Sequence, residues 1–115
     1  MKFENFVLNS DRKANTVGEG MTRKILAFSK ETMLCELHFE TGAVGALHSH
    51  PHEQISYVVS GAFEFEINGV KKIVRAGDSL YKEPNVVHGA LCLEEGVLLD
   101  FFTPMREEFL SELEK

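Results

Sequence analysis

No run of apolar residues in this 115-residue chain is long enough to cross a bilayer, and none lies near its start. The sequence therefore predicts no membrane partner and no signal peptide, which fits a cytoplasmic protein. Positive charge is scarce: there are 12 Lys and Arg against 18 Asp and Glu, a net charge of -6. Basic runs stop at pairs such as Lys71-Lys72. That argues against a nucleic-acid partner, which needs clustered Lys and Arg. Cysteine is limited to Cys35 and Cys92, far apart and each in an apolar stretch, so two buried free thiols are expected rather than a disulfide. Internal repeats, low-complexity segments and linkers are all missing. The chain reads as one domain over residues 1–115, with a core small enough to gain from oligomerisation.

What is present is a succession of short segments with turn residues between them, the pattern of an all-β barrel or sandwich. Strands are expected over residues 22–28, 33–39, 45–47, 54–59, 62–67, 70–75, 79–82, 89–93 and 96–102. Asn68-Gly69 sits between the alternating run Phe63-Glu64-Phe65-Glu66-Ile67 and the run Val70-Lys71-Lys72-Ile73-Val74. Asn-Gly there predicts a type I′ hairpin, because both central residues need positive φ. Ser60-Gly61, Ala76-Gly77-Asp78 and Glu95-Gly96 read as further turns. Only the C-terminus reads as helix, over about 104–114. Thr103 is its expected cap, Pro104 its first residue, and Phe109, Leu110 and Leu113 form its apolar stripe.

Two stretches carry chemistry. In the first, His48 and His50 are two residues apart, so on a strand their side chains share a face and can share a metal ion. If alternation continues past Pro51, His52 and Gln54 are both candidates for that face, and parity does not choose between them. In the second, a strand, a Pro84-Asn85 turn and His88 on the next strand supply a fourth ligand. His38, between Leu37 and Phe39, reads as a structural histidine. Farther on, Asp100 interrupts the apolar run Val97-Leu98-Leu99-Asp100-Phe101-Phe102. A carboxylate in such a strand is costly unless it is paired or hydrogen-bonded. Asp100 and Phe102 share a face by alternation, and Arg106 lies just beyond Pro104. A metal, a carboxylate, an aromatic face and a guanidinium in one barrel suit an anionic sugar.

The first stretch resembles the first cupin motif. Gly42, His48, His50, Gln54 and Gly61 fall in register, with Gln54 where cupins usually have Glu. The second resembles the second cupin motif through Gly77 and His88, with Glu83 in place of Pro and Asn85 in place of Gly. Asn tolerates the left-handed conformation such a turn requires. The resemblance implies a single-domain cupin, a double-stranded β-helix or jelly-roll barrel of the RmlC type. Its barrel core would span about 20–102, with a short C-terminal helix after it. It also selects Gln54 over His52 as the ligand beside His48, His50 and His88. One divalent transition metal is implied; Zn, Ni, Fe, Mn and Cu all accept imidazole.

A narrower resemblance runs from about residue 20 to 110. Arg23-Lys24-Ile25, Gly42-Ala43-Val44-Gly45, His52 through Val58, Leu93-Glu94-Glu95-Gly96 and the closing Asp100-Phe-Phe-Thr-Pro-Met-Arg-Glu-Glu-Phe-Leu110 are similar to the pectin-degradation KdgF family. That resemblance implies linearisation of cyclic 4,5-unsaturated monouronates from pectin or alginate. It implies catalysis by Asp100 and Arg106, with Phe102 and Arg106 binding substrate. Metal-dependent alternatives are a cupin dioxygenase or another sugar isomerase, and a non-catalytic alternative is a small-acid sensor. A homodimer is expected, since cupins commonly dimerise through sheet edges and a small barrel gains from that.

Overall fold

The structure is a computed structural model that describes residues 2–114. Eight strands follow a 3-10 turn at Asn9–Asp11: β1 (Asn15–Gly18), β2 (Met21–Phe28), β3 (Met33–Phe39), β4 (Val44–His48), β5 (Glu53–Ile67), β6 (Val70–Arg75), β7 (Ser79–Lys82) and β8 (His88–Thr103). A 3-10 helix, Glu107–Glu114, follows them. No helix among the described residues is long and apolar enough to cross a membrane.

The antiparallel ladder between β5 and β8 is the spine of the fold. The first half of β5 pairs with the second half of β8, flanked by β7 on one side and by β3, β2 and β1 on the other. The second half of β5 pairs with the first half of β8, flanked by β6 and β4. One ladder thus serves two half-sheets, and their inner faces meet in a single core: Phe39 of one half stacks edge-on against Phe63 of the other at 5.2 Å. The ladder changes register between Val58 and Phe63. There Gly61 has a φ of 83°, and a Cβ on Gly96 would lie 2.1 Å from the Ser60 carbonyl oxygen. No larger residue fits where the two strands cross so closely.

This crossing corrects the strand boundaries expected from sequence. Residues 54–59 and 62–67 form one strand, as do 89–93 and 96–102, because Ser60-Gly61 and Glu95-Gly96 are irregularities within a continuous ladder rather than turns. The hairpin holds as expected, with φ of 50° at Asn68 and 80° at Gly69. Asn85 likewise takes the left-handed conformation, at 67°. Strand β1 was not expected from its Asn-Thr-Val-Gly sequence, which has no apolar alternation.

The C-terminal helix begins later than the sequence suggests. Thr103 stays in β8, opposite Glu53, so the ladder takes the residue expected as the cap. Pro104 precedes the helix rather than opening it. Phe109 is buried, Leu110 is half-buried and Leu113 is exposed. The helix is tied down by Arg23, whose Nη2 donates to Glu112 Oε1 at 2.6 Å and whose guanidinium lies over the Phe109 ring at 3.5 Å. Cys35 and Cys92 are free and buried. Burial, with the Asp100 carboxylate opposite, pushes the Cys35 thiol up to about 12.

Candidate metal and sugar site

Three imidazoles converge where the two half-sheets meet at one end of the barrel. His48 ends β4, His88 opens β8 directly opposite it, and His50 follows in the connection to β5. Their ligating nitrogens all lie within 4.8 Å of one another. Each ring is aimed by its own backbone. His48 Nδ1 is 2.7 Å from the Ala46 carbonyl, His50 Nδ1 is 3.1 Å from that of His52, and His88 Nδ1 is 3.0 Å from that of Val86. A carbonyl only accepts, so each Nδ1 carries the proton and each Nε2 keeps its lone pair for the centre.

Two observations show that this arrangement fits a cation. His88 Nε2 is buried and has no hydrogen-bond partner, a costly condition for a polar nitrogen. His50 Nε2 also faces Gln54 Oε1 at 3.0 Å. With the His50 proton on Nδ1, both atoms present lone pairs, and a shared positive ion relieves that contact. Burial holds His88 down to about 4, with the Lys82 ammonium adding to the effect. His50 is lowered as well, first by burial and then by the Arg106 guanidinium. Both rings are therefore neutral, as ligands must be, at pH values where an ordinary histidine is already charged.

Gln54 is buried beside them, and its orientation is fixed. Its Nε2 donates to Ser56 Oγ at 3.3 Å, which leaves Oε1 turned toward the histidines. His52 packs edge-on to His50 at 5.5 Å but lies outside the three-histidine cluster. His38 is exposed and paired with Glu36 at 2.9 Å. It borders a separate groove past Thr22 and Glu95 that brings no ligating cluster together among the described residues.

A cavity of about 190 Å³ opens beside the histidines. Asp100, Phe102 and Arg106 all line it, with His48, Gln54 and His88. Asp100 is only 8% exposed and accepts a 2.5 Å hydrogen bond from the Ser56 hydroxyl at Oδ1. Phe102 is buried, its ring 5.9 Å from that of His50. The Arg106 guanidinium lies over the Phe109 ring at 4.4 Å and pairs with Glu108. Thus the cavity has ligands at one side, a carboxylate in its wall and a guanidinium near the C-terminal helix.

Sequence reasoning missed two lining residues, Lys82 and Arg23, and the buried Ser56 behind them. Lys82 is 2% exposed, and its Nζ donates to Ser56 Oγ at 2.9 Å. Burial lowers this lysine, while the nearby Asp100 carboxylate opposes that shift. Ser56 joins Asp100, Lys82 and Gln54 through one hydroxyl. Arg23 borders the cavity from β2. The available signal was parity: Lys82 lies two residues after Leu80, and Ser56 two after Gln54, each on the inward face.

Residues 35–102 match the cupin domain family. The chain is 40% identical over 107 residues to the pectin degradation protein KdgF of Dickeya dadantii (strain 3937), covering 91% of this chain and 97% of that protein. An RmlC-like cupin from Shewanella frigidimarina NCIMB 400 superposes with a TM-score of 0.89 at 42% identity, covering 92% of this chain and 96% of that one. KdgF from a Halomonas species superposes with a TM-score of 0.88 at 37% identity, covering 92% and 98% of the two chains. A motif register, a two-part barrel and near full-length likeness all point the same way: the chain belongs to the cupin family and, within it, to the KdgF group.

Proposed function

We propose that this protein opens the ring of cyclic 4,5-unsaturated monouronates released from pectin or alginate, giving their linear keto forms. The observation that carries the reading is Asp100, a carboxylate buried in the wall of the same small cavity that His48, His88 and Gln54 line, with His50 completing the histidine cluster. The likeness to proteins named for pectin degradation gives the substrate class.

His48, His50, Gln54 and His88 would hold one divalent metal. When bound, that ion supplies Lewis-acid charge for substrate oxygens. Arg106 has the planar fork that grips a carboxylate at two points, and it lines the same cavity. Phe102 presents an apolar face to the sugar ring. Asp100 is the general base. It takes the proton of the anomeric hydroxyl, that oxygen becomes the aldehyde carbonyl, and the bond from the anomeric carbon to the ring oxygen breaks. The electron pair stays on the ring oxygen as an enol or enolate. Protonation at carbon then completes the ketone. The proton lost at oxygen and the proton gained at carbon balance, and no redox partner is needed.

The test is to mix the purified metal-loaded protein with freshly lysed polygalacturonate. Ultraviolet absorbance of the unsaturated uronate should decay faster than in the protein-free control. Equal decay would refute the reading, and oxygen uptake in its place would favour a dioxygenase.

We also propose a homodimer. Ile55, Tyr57, Tyr81 and Phe101 are 40–52% exposed on the outer face of the larger half-sheet. Ile55 lies opposite both Tyr81 and Phe101 in the ladders, so these side chains form one apolar patch. Light scattering should give twice the chain mass, and Ile55→Lys should return it to one.

A further inference from the structure

Lys82 is the one cation of the cavity that makes no ion pair among the described residues. Arg106 is paired with Glu108, and Arg23 with Glu112. A buried ammonium is expensive unless something compensates it. Among the described residues, Lys82 Nζ hydrogen-bonds only to Ser56 Oγ and lies over the Phe65 ring at 4.8 Å. Two of its three N–H donors have no hydrogen-bond acceptor among the described residues, and the side chain lines the cavity with His88 and Asp100.

Ser56 fixes the direction of this chain of contacts. The Lys82 ammonium and the Gln54 amide nitrogen can only donate to it, at 2.9 and 3.3 Å. Its own single proton must therefore go to Asp100 Oδ1. One hydroxyl thus holds a carboxylate, Asp100, whose second oxygen remains open to accept, and a donor, Lys82, with N–H groups to spare, in the wall of one cavity. Ring opening needs both. A proton leaves the anomeric oxygen while negative charge builds on the ring oxygen, one carbon away. A base alone serves only the first change.

We infer that Lys82 is a second catalytic residue of this pocket, whose free N–H groups bind the ring oxygen as its bond to the anomeric carbon breaks. This assignment rests on the ring-opening reading given above. No proton has to leave the lysine: its fixed charge and two donors meet the developing oxyanion, as preorganised donors do in oxyanion holes. The division of labour among the cations follows from their partners. Arg106, near the C-terminal helix, meets the carboxylate that the substrate already carries. Lys82, on the barrel wall, meets the charge that appears only during the reaction.

The test compares wild type with Lys82→Met and Lys82→Gln, all zinc-loaded. We expect kcat for unsaturated uronate to fall by about 100- to 1,000-fold in Lys82→Met, with KM within about threefold, because a weak contact to the bound ring oxygen strengthens as charge builds in the transition state. Zinc content and melting temperature should stay at wild-type levels, and Lys82→Gln, which keeps a neutral donor, should lose less. A kcat within twofold of wild type, or a loss that merely tracks lost zinc, would overturn the assignment. Should neither variant fold, the wild-type holoprotein decides. With lysines labelled at 15Nζ, the one ammonium signal protected from exchange should shift on saturation with galacturonate, and an unmoved signal would refute contact. If wild type fails to consume unsaturated uronate, the ring-opening reading falls first, and the nitrogen signal still reports whether Lys82 touches a uronate.

Discussion

Two walls of the same barrel follow one rule and end in different chemistry. β3 sends Met33, Cys35, Leu37 and Phe39 inward, and all four are apolar and buried. Directly across the ladder from Cys35 is Asp100, and the first half of β5 contributes Gln54 and Ser56 by the same alternation. β7 adds Lys82. Strand geometry therefore decides only which residues face in. Whether a wall becomes core or site depends on whether its inward positions carry polar groups that can satisfy one another. Ser56 does this for three neighbours at once, which is why a carboxylate and an ammonium persist next to a hydrocarbon wall.

The contrast can be broken from either side. On the polar wall, His88→Ala should have the largest effect: bound metal, measured by elemental analysis, falls to background and turnover goes with it. Asp100→Ala should retain the metal and the fold but lower kcat by about 100- to 10,000-fold, the usual worth of a positioned acid or base. Retained activity there would remove Asp100 from the mechanism. On the apolar wall the outcome inverts. Met33→Ala, at a buried position outside the cavity, should cost about 2–5 kcal/mol in denaturant melts, with turnover per folded, metal-loaded molecule unchanged.

Acid sharpens the comparison further. His88 and His50 are both held below the ordinary histidine value of 6.5, His88 at about 4. Protons therefore compete weakly with the metal down through that range, and metal release on acidification should have its midpoint well below pH 6.5. In the metal-free protein the sign for His88 is the same. Its unfolded form binds a proton below about 6.5 and its folded form only near 4, so stability is full above that window and declines as pH falls through it. The smallest effect is expected far from both walls: Asn68→Ala, at a φ of 50°, should cost about 1 kcal/mol and leave turnover unchanged.

Much of this was legible in the residues alone. Asn68-Gly69 announced its hairpin through the φ values it demands, and His48-x-His50 announced a shared face. Gln54 was not separable from His52 by alternation, because Pro51 breaks the strand between His50 and both of them, and the backbone angle there is not written in either side chain; only family register chose it. Lys82 and Ser56 went unremarked since each is an ordinary residue in a strand, and what singles them out is a hydrogen-bond network spanning β5, β7 and β8. Ser60-Gly61 and Glu95-Gly96 looked like turns for a related reason. Glycine marks both a reversal and a close crossing, and only the partner strand tells them apart.

That crossing has a consequence for how the protein tolerates change. Gly61 and Gly96 act as the fulcrum between the half-sheet that bears Gln54 and Asp100 and the half-sheet that bears His48 and His88. An added methyl at Gly96 would meet backbone at 2.1 Å and has no flexible side chain to push aside. The halves would have to swing apart, so a substitution remote from the histidines would spread them as effectively as one made among them.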